Sequence, residues 1–289
     1  FSFYLEMSIP KNIFTVDLED WYQGNELIKL KDKSLYEDRI DLSTNILLEL
    51  LEKYKIDATF FVLAHTIEKK PELLKKIYKA GHEIASHGYS HELIYNQSKK
   101  EFFNETERSK KILEDIIGSK VSGYRASNWS ITEKSLWAID ILKELDFKYD
   151  SSIYPTKNYL YGIPNAPIEP YYHSNGLLEI PPSVYKFLNF KIPFSGGFFL
   201  RALPCFLVDF FLNRINHSGR SVLFYIHPWE LDELQPKNLN LPLKNKIIHY
   251  HNINKTKIKL CKIFNSTNFT NIEKLLPIII KEAEKKCFF

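Results

Sequence analysis

Two histidines four residues apart are the first candidates for chemistry, because that spacing can hold a metal ion. His87 and His91 follow an apolar segment and enclose Gly88. If Gly88 opens a turn or helix, both imidazoles fall on one face. Two neutral imidazoles so placed can bind one divalent cation. A carboxylate from elsewhere in the chain would complete a facial ligand set with positions open for water.

The elements that must position these histidines form an alternating pattern of strands and helices. Short apolar runs predict buried strands, and segments with apolar residues three and four apart predict helices between them. This alternation indicates β/α units around a parallel sheet, either open or closed into a barrel. The predicted strands cover residues 12–18, 58–64, 82–87, 121–126, 149–153, 177–180 and 221–227.

Polar residues whose side chains could bind a metal or transfer a proton fall at or just past the C-terminal ends of these predicted strands. In a parallel barrel those ends share one face, and active sites are built there. Structural polar residues have no reason to sort in this way, so we interpret the set as one site. Its members are Asp17, Glu19, Asp20, His87, His91, Arg125, Asp150 and His227.

These residue types together describe metal-assisted hydrolysis of an amide or an ester. A divalent metal held by a carboxylate and two imidazoles acidifies water and polarises a carbonyl group. A second carboxylate from the acidic cluster at 17–20 could act as general base, and His227 could protonate a leaving amine. Arg125 could pair with the base, and Asp150 could orient an arginine or a histidine.

At this point the ordered motifs resemble a known family, the polysaccharide deacetylases of the NodB-homology type, carbohydrate esterase family 4. The similarity runs from about residue 12 to residue 276 and is greatest to a bacterial branch associated with exopolysaccharide loci. The motifs that carry it are TVDLEDW (15–21), ATFFVL (58–63), AGHEIASHGYSH (80–91), GYRAS (123–127), FKYDSSIYP (147–155), LEIPPS (178–183) and FYIHPWE (224–230).

The resemblance implies a fold, a cofactor and an activity. The fold would be a single distorted (β/α) barrel, TIM-like with about seven strands. The cofactor would be a divalent metal, usually zinc, and the activity would be N-deacetylation of an N-acetylated carbohydrate. The roles carried over are metal binding by His87 and His91, general base by Asp17, bracing of the base by Arg125, general acid by His227, and tuning of the charge network by Asp150.

The chain departs from the family pattern in its first acidic motif. The family has adjacent aspartates there, whereas here the order is Asp, Leu, Glu, Asp. Strand alternation puts Asp17 and Glu19 on one face, but Asp20 lies past the strand, where the chain can turn. We therefore prefer Asp20 slightly as the metal carboxylate and keep Glu19 open. A second departure is Ser127, which stands where the family commonly has proline and predicts a looser loop.

Composition narrows the class of protein. The 289 residues include 44% hydrophobic and 26% charged residues, as expected for a globular domain with a sizeable core. A net charge of +4 without a long basic run does not indicate a nucleic-acid partner. The three cysteines, Cys205, Cys261 and Cys287, are far apart, which favours a reducing compartment and argues against a cysteine zinc cluster.

The chain is predicted to be one catalytic domain over residues 12–289 that ends in a helical extension. Residues 1–11 are interpreted as an N-terminal extension that need not belong to the native structure. No apolar run reaches the length of a membrane span. The segment 198–212 comes closest and reads as a core helix, with contact to a membrane surface as the alternative. The lack of a visible signal sequence predicts a cytoplasmic location, and the oligomeric state stays open.

Our prediction is removal of N-acetyl groups from N-acetylhexosamine units, in making a surface polysaccharide or a glycolipid. One alternative keeps the enzyme but changes the substrate to a cyclic amide or imide, as in allantoinases on the same scaffold. Another is a glycan-binding protein without catalysis, ranked last because no catalytic residue is missing. Outside the motif residues, His82 is predicted to be structural, His249 to lie on the surface, and Trp129 and Trp229 to line a sugar pocket or pack at the barrel rim.

Overall fold

The computed structural model describes residues 12–24, 37–158, 160–237 and 241–284. The predicted extension 1–11 lies outside these ranges. Eleven strands are found in the described part of the chain. They are β1 (Asn12–Leu18), β2 (Thr59–Val62), β3 (Glu83–Ser86), β4 (Gly123–Tyr124), β5 (Tyr149–Asp150), β6 (Tyr171–Tyr172), β7 (Leu178–Glu179), β8 (Val184–Phe187), β9 (Phe190–Pro193), β10 (Leu223–Ile226) and β11 (Phe269–Thr270).

Helices separate most of the strands, as the alternating pattern predicts. Helix α4 begins and ends where its sequence signals predict. Ser98 and Glu101 form the predicted capping box, and Gly118 ends the helix with φ of +69°. The helices are α1 (Ile40–Tyr54), α2 (Ala64–Glu68), α3 (Pro71–Lys79), α4 (Lys99–Ile117), α5 (Ala138–Glu144), α6 (Gly197–Ala202), α7 (Cys205–His217), α8 (Leu243–Tyr250), α9 (Ile253–Ser266) and α10 (Ile272–Ala283).

Nine of the strands form one curled sheet. Seven pair in parallel in the order β10-β1-β2-β3-β4-β5-β7, while β6 is antiparallel at the β7 edge and β11 pairs with the start of β1. The chain just after β7 reaches back to β10, where Ser183 Oγ accepts a hydrogen bond of 2.9 Å from the Leu223 amide. The expected distorted (β/α) barrel of about seven strands is confirmed.

The curl divides the core into two layers. Strand residues such as Phe14 and Phe60 pack outward against the helices, whereas Ile13, Phe61 and Leu223 form a second buried cluster with α10. Residues of β1 are all buried, as both faces of a parallel strand are covered. Among the described residues, no helix has both the length and the apolar character needed to cross a membrane.

The helix α10 closes the end of the barrel opposite the strand termini that carry the candidate site. Its first amides donate to side chains at the starts of two strands, Ile272 N to Thr59 Oγ1 at 2.8 Å and Glu273 N to Glu83 Oε2 at 2.9 Å. The last part of the predicted helical extension is therefore built into the barrel core.

His82 has the structural role predicted for it and should make stability depend on pH. Its Nδ1 accepts the Ala58 amide at 3.1 Å, and burial lowers its pKa to about 4. Because the folded-state pKa lies below the usual 6.5, the stabilisation is present above pH 6.5 and is lost as pH falls toward 4. We expect the free energy of unfolding to drop by about 2 kcal/mol more between pH 7 and pH 5 in the parent protein than in His82→Asn.

The comparison uses urea unfolding at both pH values. Asparagine retains an acceptor for the Ala58 amide but does not titrate. The packing lost with the imidazole ring therefore lowers the free energy of unfolding by the same amount at both pH values. His249 also has a pKa lowered by burial, to about 3, and it contributes the same slope to both proteins. Equal pH dependence in the two proteins would contradict this account of His82.

Candidate metal centre

Three candidate ligands converge at the C-terminal ends of β1 and β3. The imidazole nitrogens His87 Nε2 and His91 Nε2 lie 3.0 and 2.8 Å from the same oxygen, Glu19 Oε1. One ligand atom from each of the three residues lies within 4.8 Å of the other two. Glu19 and His87 are buried, and His91 is nearly so. Two imidazoles and a carboxylate at one point are the donor set of a facial metal site.

The histidine pair is brought together by a turn rather than by a helix. Gly88 adopts φ of +81° and His91 adopts φ of +65°, both in the left-handed region. A non-glycine residue there is uncommon and is concentrated at functional sites. The turn is held by the Ala64 amide and the Ser109 hydroxyl, which both donate to the Gly88 carbonyl, at 3.1 and 2.9 Å.

The hydrogen bonding of His87 fits a bound cation. Its Nδ1 lies 2.8 Å from the Arg125 carbonyl oxygen, which can only accept, so Nδ1 carries a proton, and in the neutral ring Nε2 then offers a lone pair toward Glu19. Such a second partner is usual for metal-binding histidines. With the ring neutral, a cation between Nε2 and the Glu19 oxygen 3.0 Å away would satisfy both groups. Ligand atoms about 2.1 Å from one ion at roughly right angles are about 3 Å apart, which matches the spacing here.

Asp20, the carboxylate preferred from the sequence, is turned away from the histidines. Its Oδ1 accepts the Trp21 amide at 2.7 Å, and its Oδ2 accepts the Arg39 and Ile40 amides at 2.9 and 3.1 Å. These amides begin a short 3-10 helix and α1, where they lack partners within the helix. The structure thus places Glu19, which we had kept open, at the candidate metal position and gives Asp20 a capping role.

Asp17 lies on the same face as Glu19 and is braced by Arg125. Arg125 Nη1 donates to Asp17 Oδ1 at 2.6 Å and to Thr15 Oγ1 at 2.9 Å. The guanidinium is fully buried between the rings of Phe61 and Trp129, with centroid distances of 3.9 and 4.7 Å. One carboxylate oxygen of Asp17 is therefore fixed in direction, and the other faces the cavity.

His227 reaches the same cavity from the end of β10. Its Nε2 lies 3.9 Å from Asp17 Oδ2 and 4.0 Å from Glu19 Oε2. Its Nδ1 lies 2.8 Å from Glu230 Oε1. Burial by itself lowers the pKa of His227, but the charge of Glu19 and the hydrogen bond and charge of Glu230 raise it to about 9. An imidazolium at this position is suited to giving up a proton.

Two residues that hold His227 were not found from the sequence. Glu230 Oε2 accepts Arg201 Nε at 2.6 Å. Burial raises the pKa of Glu230, but Arg201 and His227 more than offset that and lower it to about 2. The three-residue spacing after His227 is a capping-box signal that could have revealed Glu230, whereas Arg201 had no local signal.

The prediction that His249 lies on the surface is wrong. His249 is buried and its ring stacks on Trp229 with centroids 4.4 Å apart.

Asp150 does not hold the position that the resemblance implies. Its carboxylate accepts the Ser152 hydroxyl and pairs with Glu179, and the described contacts include no bond from it to Arg125 or His227. Burial, and then the charge of Glu179, raise the pKa of Asp150 well above its usual value. The neighbouring Ser151 reaches the arginine instead, because successive strand residues point to opposite faces. Ser151 Oγ accepts Arg125 Nη2 at 3.0 Å.

A cavity of about 290 Å³ opens above these groups. It combines charged groups at its floor with aromatic walls, as sites for small polar ligands do. Trp129 and Trp229, left between a pocket and a packing role from the sequence, both line it. The other aromatic lining residues are Tyr161, Phe198, Phe199 and Tyr225.

Comparison with known proteins shows what parts of this chain are similar to. Residues 35–149 match the family model described as "Polysaccharide deacetylase", and residues 151–277 match "Domain of unknown function (DUF3473)". A peptidoglycan deacetylase of Helicobacter pylori is 37% identical over 107 residues, which are 37% of this chain and 36% of that protein. A peptidoglycan-N-acetylglucosamine deacetylase of Bacillus cereus is 32% identical over 107 residues, 36% of this chain and 39% of that protein. The match thus spans well under half of either relative.

Two solved structures share the fold over most of the chain. A Mycobacterium smegmatis protein assigned as a polysaccharide deacetylase has a TM-score of 0.65 at 20% identity, covering 96% of this chain and 92% of that one. An allantoinase, Puue, has a TM-score of 0.58 at 16% identity, covering 92% and 88%.

The fold and the site define a curled β/α barrel with a His-His-carboxylate centre at its strand termini. Over residues 35–149 the chain is similar to the polysaccharide deacetylase family, the NodB-homology type whose motifs the sequence carries. The site draws on both matched segments, since His87, His91 and Arg125 fall in the first and His227 falls in the second. Strands from both segments join one sheet.

Proposed function

We propose that the protein is a metal-dependent hydrolase that removes N-acetyl groups from N-acetylhexosamine units of a polysaccharide or glycolipid. The observation that carries the proposal is the meeting of three groups around one cavity: the Glu19–His87–His91 centre, the Arg125-braced Asp17, and His227. The relatives named above are peptidoglycan deacetylases, which supports the same reaction class. No residue of the site favours ring opening of cyclic amides or binding without catalysis.

Glu19, His87 and His91 would hold the divalent cation, zinc in our proposal. When bound, such a cation polarises the acetyl carbonyl and lowers the pKa of water. Asp17 removes a proton from the water that attacks the carbonyl carbon, while Arg125 holds the carboxylate in place through the hydrogen bond to Oδ1. The C–N bond then breaks, and His227 gives its proton to the departing nitrogen. The products are acetate and a free amino sugar.

The supporting residues keep these groups in their working states. Glu230 bonds His227 Nδ1, which turns Nε2 toward the cavity and favours the protonated ring. Arg201 neutralises Glu230 from behind at 2.6 Å. The aromatic walls formed by Tyr161, Trp229 and neighbouring rings can stack on sugar faces and exclude bulk water from the reacting bond.

We further propose a role in surface polysaccharide or glycolipid production, which rests on the resemblance to an exopolysaccharide-associated branch. The cytoplasmic location and the single catalytic domain over 12–289 stay predictions. So does the absence of a nucleic-acid partner, which rests on the net charge of +4.

Chelation is the direct test of the proposed function. We expect acetate release from N-acetylglucosamine oligomers, peptidoglycan fragments or lipid-linked N-acetyl sugars, and loss of nearly all of it after treatment with a chelator. Adding back zinc, cobalt or another divalent ion should restore it, because the ligand set suits several such metals. An imide ring-opening assay run in parallel is the control. Ring opening without acetate release, or acetate release unaffected by chelator, would contradict the proposal.

A further inference from the structure

An exposed group of large apolar side chains lies on the hairpin β8–β9 and the adjoining helix α7. We define this aromatic patch as Phe187, Leu188, Phe190, Phe206 and Phe210, which are 56%, 73%, 69%, 68% and 49% exposed. Single exposed apolar residues are ordinary, but a contiguous group of this size marks a contact surface. No part of the proposed catalytic chemistry uses it.

The hairpin presents the first three members of the patch at its tip. Phe187 pairs with Phe190 at the end of the antiparallel ladder, and Leu188 lies in the connection between them. Leu188 has φ of +52°, in the left-handed region where hairpins favour asparagine or glycine. A leucine there costs stability to the fold. Its side chain is the most exposed of the patch, so the fold gains no burial in return.

The hairpin and α7 form one surface. The ring of Tyr185 stacks on Phe211 with centroids 4.5 Å apart and lies 6.0 Å from the ring of Phe210. These contacts join the base of the hairpin to the helix. Phe206 and Phe210 are one helical turn apart, so they extend the patch along the exposed face of α7.

The hairpin that carries three members of the patch is basic, whereas α7 carries the half-buried Asp209 between Phe206 and Phe210. No acidic residue occurs between Glu179 and Asp209, a segment that contains both the hairpin and the start of α7. Lys186 and Lys191 flank the hairpin tip, and Lys186 is exposed. Farther along α7 the exposed face carries Arg214. An apolar surface of aromatic and leucine side chains with a basic rim is the pattern of proteins that bind at the lipid-water interface.

We propose that the aromatic patch docks onto the surface of an anionic lipid bilayer. The apolar side chains enter the headgroup region, while Lys186 and its basic neighbours contact anionic headgroups. Charge complementarity favours this occupant over a second copy of the chain, whose identical patch would bring lysines against lysines.

Docking of this kind would place the cavity near the bilayer. Only residues 194–196 separate β9 from Gly197, which lines the cavity together with Phe198. A sugar carried on a lipid would then meet the site at the membrane surface. This last step rests on the proposed function, whereas the docking itself does not.

Vesicle sedimentation of the full chain tests the docking without any activity measurement. We expect binding to vesicles of phosphatidylcholine with phosphatidylglycerol and much weaker binding to phosphatidylcholine alone. Leu188→Asn should weaken binding by about tenfold while leaving the fold at least as stable, since asparagine suits the left-handed position. Lys186→Glu should weaken binding to the anionic vesicles by about tenfold as well.

Leu234→Asn is the matched control, because Leu234 is also highly exposed, at 80%, but lies outside the aromatic patch. It follows β10 in a segment where Asp232 bonds Arg39 at the start of α1. It should bind vesicles as the parent does. Absence of parent binding, or equal binding by Leu188→Asn and the parent, would overturn the proposal. So would sedimentation velocity without lipid showing a dimer that Leu188→Asn abolishes, which would identify the patch as a self-association surface.

Discussion

Glu19→Gln is expected to abolish tight metal binding and to lower acetate release by at least about a thousandfold. An amide keeps the shape of the side chain but removes the charge that two imidazole nitrogens face at 3.0 and 2.8 Å. Metal content of the purified protein, measured after dialysis against a weak chelator, provides a readout independent of activity.

Asp20→Asn is the matched control, because it removes a neighbouring carboxylate with a different set of contacts. Asp20 accepts three backbone amides at the starts of α1 and the 3-10 helix. We expect the variant to retain its metal and to lose about 1–3 kcal/mol of stability, since asparagine keeps one capping oxygen but turns its amide nitrogen toward the backbone N–H groups that the other oxygen accepted. The reverse outcome, with metal lost in Asp20→Asn and kept in Glu19→Gln, would restore the assignment that we preferred from the sequence.

Asp17→Asn is expected to lower the rate constant for acetate release by about a hundredfold to ten thousandfold, while the metal content stays at the parent level. The amide still accepts a hydrogen bond from Arg125, but it cannot take a proton from water. The variant should also lose about 3 kcal/mol of stability, because the buried guanidinium loses its counter-charge. Activity is therefore measured at a temperature where thermal unfolding shows the variant to be folded.

Thr15→Val separates the two effects of Asp17→Asn, which are the loss of the general base and the disturbance of the buried Arg125. Thr15 Oγ1 accepts Arg125 Nη1 at 2.9 Å and donates to the Phe224 carbonyl at 2.8 Å. Valine has nearly the same shape, so this change disturbs the arginine without touching the base. A stability loss of about 1–3 kcal/mol with nearly unchanged turnover is expected. Loss of turnover as large as that of Asp17→Asn would show that the arginine environment, rather than the base, limits the reaction.

The fold followed from local patterns to a large extent. Continuous apolar runs such as 58–64 can only be buried on both faces, so they predicted parallel strands that the sheet contains. The capping box at Ser98 and the stop at Gly118 set the bounds of α4. The hairpin β8–β9 was not predicted, because its residues lack the turn chemistry that marks a hairpin, with Leu188 at the left-handed position.

The site could be predicted in its members but not in all of their contacts. The acidic motif offered two candidate ligands, and spacing could not decide between them because the backbone changes direction after Leu18. The choice depends on unpaired amides of α1, which are twenty residues away in sequence. Asp150 was placed near the reacting groups by its strand end, but its neighbour Ser151 makes the contact with the arginine.

The amino-acid sequence by itself determined most of the strand and helix pattern, the family resemblance and the set of polar residues at the strand termini, because these depend on residue type and short spacing. Only the tertiary structure decided that Glu19 rather than Asp20 faces the histidines, and that Glu230 and Arg201 stand behind His227. Those outcomes depend on which buried donors and acceptors meet once distant segments pack, because most buried polar groups are stable only with such a partner.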